Sequence, residues 1–109
     1  MTPSAEIVVA AIVEVRPEAR DEALTALTAG IAATHGEQGC VAYALHEDVE
    51  QPARFVILEK WATATALQEH GQTEHLKAMF AAVGPLLAQP PTIVRTAPLP
   101  VGDPAKATI

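Results

Sequence analysis

The segment "FVILEKW" (Phe55–Trp61) constrains the fold most, because it has the pattern of a β-strand with two largely apolar faces. Side chains alternate from one side of a strand to the other. One face would carry Phe55, Ile57, Glu59 and Trp61, and the other Val56, Leu58 and Lys60. Neither set is a plain solvent-facing surface, so both faces of the strand need cover. We expect helices to cover one face of the sheet and another molecule to cover the other.

Three further apolar segments have the pattern of strands. The first runs from about Glu6 to Val15, the second from Cys40 to Asp48, and the last is "TIVRT" (Thr92–Thr96). In the second strand, alternation would place Cys40, Ala42, Ala44 and His46 on one face and Val41, Tyr43 and Leu45 on the other. The polar turn "EDVEQPAR" would join the second strand to "FVILEKW" as a hairpin.

Two helical segments are predicted between these strands. Pro17 and the acidic residues after it suit a helix start, and apolar positions then recur every three or four residues up to a C-cap near Gly36. The second segment would start at Thr63, break at Gly71 and restart at Thr73, with both threonines as N-caps. Its predicted core stripe consists of Leu76, Phe80, Val83 and Leu87.

The order β-α-β-β-α-β predicts an α+β, ferredoxin-like fold, in which a four-stranded antiparallel sheet carries the helices on one face. A chain of 109 residues suits one domain, which we assign to 1–109 with a core at about 6–98 and a C-terminal tail at 99–109. The helix-free face would expose an apolar patch, so we expect a homodimer that packs sheet against sheet. The proline-rich tail is expected to be disordered or to lie on a surface.

Composition argues against two kinds of partner. The chain has seven basic and thirteen acidic residues and no basic cluster, which is unlike a nucleic-acid-binding protein. The apolar stretch "IVVAAIV" (Ile7–Val13) is too short to span a bilayer and follows no basic residues, so we interpret it as a strand and expect no membrane partner. Cys40 is the only cysteine, so no internal disulfide can form, and the expected location is the cytoplasm.

The run from Gly39 to Met79 resembles the antibiotic biosynthesis monooxygenase family of dimeric α+β barrels. The matching pieces are "GC" followed by an alternating strand that ends in "LHED", then "FVILEKW", "QEH" and "EHLKAM". In overall pattern the resemblance extends over about Ile7–Leu99. It implies a homodimer in which each small-molecule pocket lies between the helices and the sheet.

The resemblance also implies an oxygenase that uses neither metal nor bound flavin and combines dioxygen with a small phenolic, anthrone or quinol substrate. Other members are isomerases of small diones, and one branch degrades haem. This chain has no asparagine, which anthrone-oxidising and haem-degrading relatives use beside the tryptophan, and Phe80 stands where the haem branch has a histidine. We therefore set haem degradation aside and expect a cofactor-independent monooxygenase. An isomerase and a non-catalytic small-molecule-binding dimer remain as alternatives.

Oxygenation without a cofactor needs a base, because removal of a proton makes the substrate electron-rich enough to react with dioxygen. The expected catalytic residues are His46, His70 and Glu59, with one of the histidines as the base. Each also has a purely structural interpretation. His46 would be an exposed strand-end histidine, His70 an imidazole stabilised at a helix C-terminus, and Glu59 a solvated ion at the dimer interface.

Four further residues are expected to contact the substrate: Trp61 as an aromatic wall, together with Tyr43, His75 and Phe80. Trp61 would serve equally well as ordinary core. His35 is expected to cap the first helix at the surface. No metal site is expected, because the histidines and the cysteine show no recognised ligand spacing and a glycine separates His70 from His75.

Overall fold

The computed structural model describes residues 6–109, which form four strands, three α-helices and two short 3-10 turns. The strands are β1 (Ile7–Glu14), β2 (Cys40–Glu47), β3 (Arg54–Trp61) and β4 (Thr92–Thr96). The α-helices are α1 (Arg20–Thr34), α2 (Ala64–His70) and α3 (Glu74–Val83), and the 3-10 turns are Pro17–Ala19 and Gly84–Leu86. All neighbouring strands are antiparallel, in the order β2-β3-β1-β4. This confirms the predicted α+β, ferredoxin-like fold.

The helices cover one face of the sheet, as expected, and the structure shows that the first face of "FVILEKW" is the covered one. Phe55, Ile57, Glu59 and Trp61 are all buried on that side, beside alternate residues of β1 such as Val9 and Val13. On the opposite face, the apolar side chains of β1 and β3 are partly exposed and no helix covers them. That face comprises Val8, Ala10, Ile12, Val56 and Leu58, with Val94 of β4 half-exposed beside them.

Two threonines start α2 and α3, as predicted. The Thr63 hydroxyl accepts a 3.1 Å hydrogen bond from the N–H of Ala66, and the Thr73 hydroxyl accepts a 3.3 Å bond from the N–H of Leu76. Each bond satisfies a backbone donor that has no partner inside its own helix. Gly71 lies between them, so the second helical segment is two helices.

The predicted core stripe of the second helical segment was wrong at Phe80. The buried residues are Leu76, Met79, Val83 and Leu86, whereas Phe80 is 41% exposed. The helix ends at Val83 and continues as a 3-10 turn through Pro85, so Leu86 is the buried position, while Leu87 is partly buried against the core. Met79 packs against Gly30 of α1, where an added Cβ would lie 2.5 Å from the methionine sulfur.

The predicted face of Cys40 was also wrong. A register shift between Cys40 and Ala42 is a β-bulge at the start of β2, and it pairs Cys40 with Trp61. Because the bulge adds one residue to β2, Cys40 packs against the core while Ala42, Ala44 and His46 remain on the helix-free face. The chain enters this bulge through Gly39, whose φ of +86° suits glycine.

Residues 97–109 follow β4 without a helix or strand. The backbone oxygen of Ile109 accepts a 2.8 Å hydrogen bond from Nζ of Lys60, so the end of the tail reaches the helix-free side of β3. Among residues 6–109, no helix has the length and apolar composition needed to cross a bilayer.

Candidate functional site

A cavity of about 260 Å³ lies between the helix-bearing face of the sheet and helices α2 and α3. Its walls are mostly apolar, with residues such as Ile57 from the sheet and Leu76 from α3. Four polar side chains also line it: Tyr43, Glu59, His70 and Arg95. A mostly apolar cavity with a few polar groups is typical of a small-molecule site.

Three of these polar residues lie in one row across the floor of the cavity. Tyr43 of β2 pairs with Glu59 of β3, Glu59 pairs with Val9 of β1, and Val9 pairs with Arg95 of β4. Directly paired residues in a sheet point to the same face, so this register sends all of them towards the helices. Sequence reasoning missed Arg95, although the predicted strand "TIVRT" already put it on the same face as Ile93.

His70 ends α2 and forms the wall above this row. Its side chain is 5% exposed, and its Nδ1 lies 2.7 Å from Oε2 of Glu37. The imidazole ring packs at centroid distances of 4.6 Å from Trp61 and 5.4 Å from Tyr43. Packing against two aromatic rings and a hydrogen bond to a carboxylate therefore fix its orientation.

The bond to Glu37 determines which nitrogen of His70 is free. A carboxylate only accepts hydrogen bonds, so Nδ1 of His70 carries the proton and Nε2 of the neutral ring keeps a lone pair. Nε2 has no hydrogen-bond partner within residues 6–109. Every fully buried side-chain nitrogen and oxygen in this part of the chain does have a partner, so Nε2 is not fully buried. Nε2 therefore reaches open volume, and His70 lines the cavity.

Glu37 was not anticipated from the sequence. It lies in the turn between α1 and β2, where its N–H donates a 3.0 Å hydrogen bond to the carbonyl of Thr34. Oε2 of Glu37 also lies 2.7 Å from Nε2 of His75. His75, expected to contact the substrate, does not line the cavity and instead lies behind His70 in this cluster. Glu37 is separated from His70 by 33 positions and from His75 by 38 positions, so local sequence spacing gave no signal of these contacts.

Glu59 and Trp61 are joined by a hydrogen bond, in which Nε1 of Trp61 donates to Oε1 of Glu59 at 2.9 Å. Burial raises the pKa of Glu59, against the lowering effects of this bond and of the positive charge of Arg95. Trp61 is fully buried and supports His70 from behind, so it is not part of the cavity wall that we expected it to form. The carboxylate that orients a histidine is Glu37, whereas Glu59 orients the indole.

Tyr43 and Phe80 both line the cavity, in line with their expected positions. Burial raises the pKa of the Tyr43 phenol, and the negative charges of Glu59 and Glu37 raise it further, so its hydroxyl stays neutral and able to donate. That hydroxyl has no hydrogen-bond partner in the described chain. Phe80 is partly exposed, which places it at the mouth of the cavity.

His46 is not part of this site. It is exposed on the helix-free face of the sheet, where its Nδ1 lies 3.1 Å from the carbonyl oxygen of Ala44. The small residues beside it, which suggested room for a ligand, face away from the cavity because it lies on the other side of the sheet. His35 forms the C-cap of α1 and donates from Nε2 to the carbonyl of Tyr43 at 2.8 Å.

Comparison with known proteins shows what this arrangement is similar to. Residues 6–82 match the family described as "Antibiotic biosynthesis monooxygenase". A Bacillus subtilis protein named "Putative monooxygenase YcnE" is 36% identical over 90 residues, which cover 83% of this chain and 95% of that protein. A Mycobacterium tuberculosis protein named "Putative monooxygenase Rv0793" is 36% identical over 84 residues, covering 77% of this chain and 82% of that protein.

Solved structures show the same fold. The structure of a "putative antibiotic biosynthesis monooxygenase" from Caulobacter crescentus superposes with a TM-score of 0.83 at 30% identity, over 88% of this chain and 92% of that one. The structure of the Mycobacterium tuberculosis relative superposes with a TM-score of 0.81 at 34% identity, over 86% of this chain and 95% of that one.

Proposed function

Because the chain belongs to the antibiotic biosynthesis monooxygenase family, we propose that it is a cofactor-independent monooxygenase of a small phenol, anthrone or quinol. The cavity supports a substrate of this size. A cavity of roughly 150 Å³ lined by apolar side chains holds one benzene ring, and this one is about 260 Å³. It therefore suits a planar molecule of one to three fused rings that extends towards the mouth.

The observation that carries this proposal is the Glu37–His70 pair, which binds Nδ1 and leaves Nε2 free on a histidine that lines an apolar cavity. In this arrangement, Nε2 is the general base that removes a proton from the bound ring. The carboxylate of Glu37 holds the reactive tautomer and stabilises the imidazolium that forms. Glu37 acts through His70, so it is a positioning residue.

Removal of a proton leaves an electron-rich anion that needs stabilisation. Arg95 has a guanidinium on the cavity wall with no ion pair or hydrogen bond in the described part of the chain. The neutral hydroxyl of Tyr43 is a second donor on the same side. Preorganised donors around a developing oxyanion are the largest contribution to many enzymatic rates. These two groups would hold the phenolate or enolate oxygen while the ring reacts.

The substrate anion supplies the electrons for the oxygen step. The activated carbon forms a C–O bond with dioxygen, the imidazolium of His70 returns its proton to the peroxide anion, and the resulting hydroperoxide loses water to leave a carbonyl group. For an anthrone, CH₂ plus O₂ becomes C=O plus H₂O, so one oxygen atom enters the product and the other leaves as water. Residues of the site bind and orient the ring, move the proton and exclude bulk water.

The proposal includes a homodimer, supported by the partly exposed apolar side chains on the helix-free face. A second copy that covers this face would bury Ile12, Leu58 and Val94 in an apolar interface. We also propose that the dimer is cytoplasmic, since the lone Cys40 offers no internal disulfide.

Labelled oxygen tests the proposed reaction. Incubation of the purified, chelator-treated protein with anthrones and hydroquinones under ¹⁸O₂ should give a product with one ¹⁸O atom, detected by mass spectrometry. Exchange of a substrate proton with solvent without oxygen consumption would indicate the isomerase instead. Saturable binding of the ring without any reaction would indicate a binding protein.

A further inference from the structure

We propose that Glu37, His70 and His75 form a site for a divalent transition-metal ion such as Zn²⁺, and that the bound ion switches off His70 as a base. Oε2 of Glu37 lies 2.7 Å from both Nδ1 of His70 and Nε2 of His75. All three ligand atoms lie within 4.8 Å of one another. The sequence did not predict this site, because Glu37 is far from the two histidines along the chain.

The ligand set suits a borderline-soft ion. Two imidazole nitrogens and one carboxylate oxygen are ligands that Zn²⁺ takes in sites that keep one position open. Mg²⁺ and Ca²⁺ prefer oxygen ligands alone. Ligand atoms of a tetrahedral zinc site lie about 3.4 Å apart, given bonds of about 2.1 Å. In each of the two hydrogen-bonded pairs, Glu37 with His70 and Glu37 with His75, the two ligand atoms would therefore need to move apart by less than about 1 Å to admit the ion.

The three ligands are held by separate, locally fixed segments. The backbone of Glu37 is fixed on both sides, since its N–H bonds to Thr34 and its carbonyl accepts a 3.2 Å hydrogen bond from the N–H of Cys40. The carbonyl of His70 accepts a 2.9 Å hydrogen bond from the Thr73 hydroxyl. Thr73 is also the N-cap of α3, and the first turn of α3 contains His75.

Exposure and charge also fit an ion site with one open side. The side chains of His70, Glu37 and His75 are 5%, 13% and 28% exposed, so an ion would enter past His75. In the described part of the chain, no lysine or arginine pairs with Glu37. A positive ion would therefore bind a carboxylate whose negative charge no lysine or arginine neutralises.

An ion on Nδ1 of His70 changes what the opposite nitrogen can do. The metal takes the lone pair of Nδ1, so the single proton of the neutral ring must sit on Nε2. Nε2 then points a hydrogen into the cavity and cannot accept a proton from the substrate. This inhibition rests on the proposed function, whereas the binding of the ion does not.

Metal binding is tested with Co²⁺, which reports its ligands by visible absorption, and with Zn²⁺ by titration calorimetry. The variants are Glu37→Gln and His75→Gln, with His46→Gln as the matched control on the opposite face of the sheet. The parent and the control should bind about one ion per chain. The two ligand variants should bind at least about 10- to 100-fold more weakly. An absent Co²⁺ spectrum in the parent, or equal affinities in all four proteins, would overturn the site.

Inhibition is tested separately in the oxygenation assay, with each protein normalised to its own metal-free rate. Zn²⁺ should inhibit the parent and His46→Gln at the concentrations that fill the site, a chelator should restore the rate, and His75→Gln should resist. A parent that binds Zn²⁺ at full rate, or is activated by it, would overturn the switch. If the parent oxidises no substrate, the proposed function fails while the Co²⁺ spectra still decide the metal site.

Discussion

The indole N–H of Trp61 donates a 2.9 Å hydrogen bond to Oε1 of Glu59, and both side chains are buried. This bond explains why a carboxylate stands on the core face of "FVILEKW". A buried carboxylate needs a hydrogen-bond donor and a buried indole N–H needs an acceptor, and this one bond satisfies both groups. The pair fixes the ring that packs behind His70, so a core contact sets the position of the proposed base.

Replacement of Trp61 by phenylalanine should destabilise the fold by about 1–3 kcal/mol, because it leaves a buried carboxylate oxygen without its donor. Urea unfolding measures this loss. In the Trp61→Phe background, a further Glu59→Gln substitution should cost less than it does in the parent, since the hydrogen bond is already gone. Equal costs of Glu59→Gln in both backgrounds would mean that the two side chains are not coupled.

Glu47 should make the stability of the fold depend on acid. Its carboxylate accepts two 2.8 Å hydrogen bonds from Arg20 and a 2.9 Å bond from the N–H of Ala53, which lower its pKa from 4.5 to about 2. A lowered folded-state pKa stabilises the fold above the unfolded value of 4.5, and this contribution disappears as pH falls through about 2.

The corresponding variant is Glu47→Gln, which should melt at a lower temperature than the parent at pH 7. The difference should shrink below pH 4.5 and be lost as pH falls through about 2, where the parent carboxyl itself becomes protonated. Thermal melts followed by circular dichroism over this pH range measure the difference. A constant difference at every pH would show that the effect does not come from the charge.

Gly39 should not tolerate a side chain. Its φ is +86°, and an added Cβ would lie 2.5 Å from Cβ of Ala66 at the start of α2. Gly39→Ala should therefore cost roughly 1–3 kcal/mol in unfolding free energy, measured in urea. The control is Gly36→Ala in the same turn, where an added Cβ would lie an ordinary 3.5 Å from the carbonyl oxygen of Ala33, and little change is expected. Equal effects of the two substitutions would contradict this account.

Much of the fold follows from apolar periodicity and helix caps. The order of strands and helices along the chain and the starts of α2 and α3 at Thr63 and Thr73 were predictable, because each depends on short runs of sequence. The face of Cys40 and the inward turn of Leu86 were not. A β-bulge and a 3-10 turn each shift the register by one residue, and neither leaves a clear sequence signal.

The site was less predictable than the fold. His70, Tyr43, Glu59 and Phe80 were named and do line the cavity, but their contacts could not be assigned. His46 was misplaced because alternation tells which residues share a face and not which face the helices cover. Glu37 was missed because its partners are distant in sequence, and only the packing of the α1–β2 turn against α2 and α3 brings them together.

Oxygen consumption by His70→Gln, with His46→Gln as its control, tests the central claim most directly. The proposal predicts that His70→Gln lowers kcat by about 100-fold or more, the usual contribution of a positioned general base. His46→Gln should keep the parent rate, since His46 lies on the opposite face of the sheet. A His70→Gln enzyme that consumes oxygen at the parent rate, or a His46→Gln enzyme that does not, would contradict the assignment of His70 as the base.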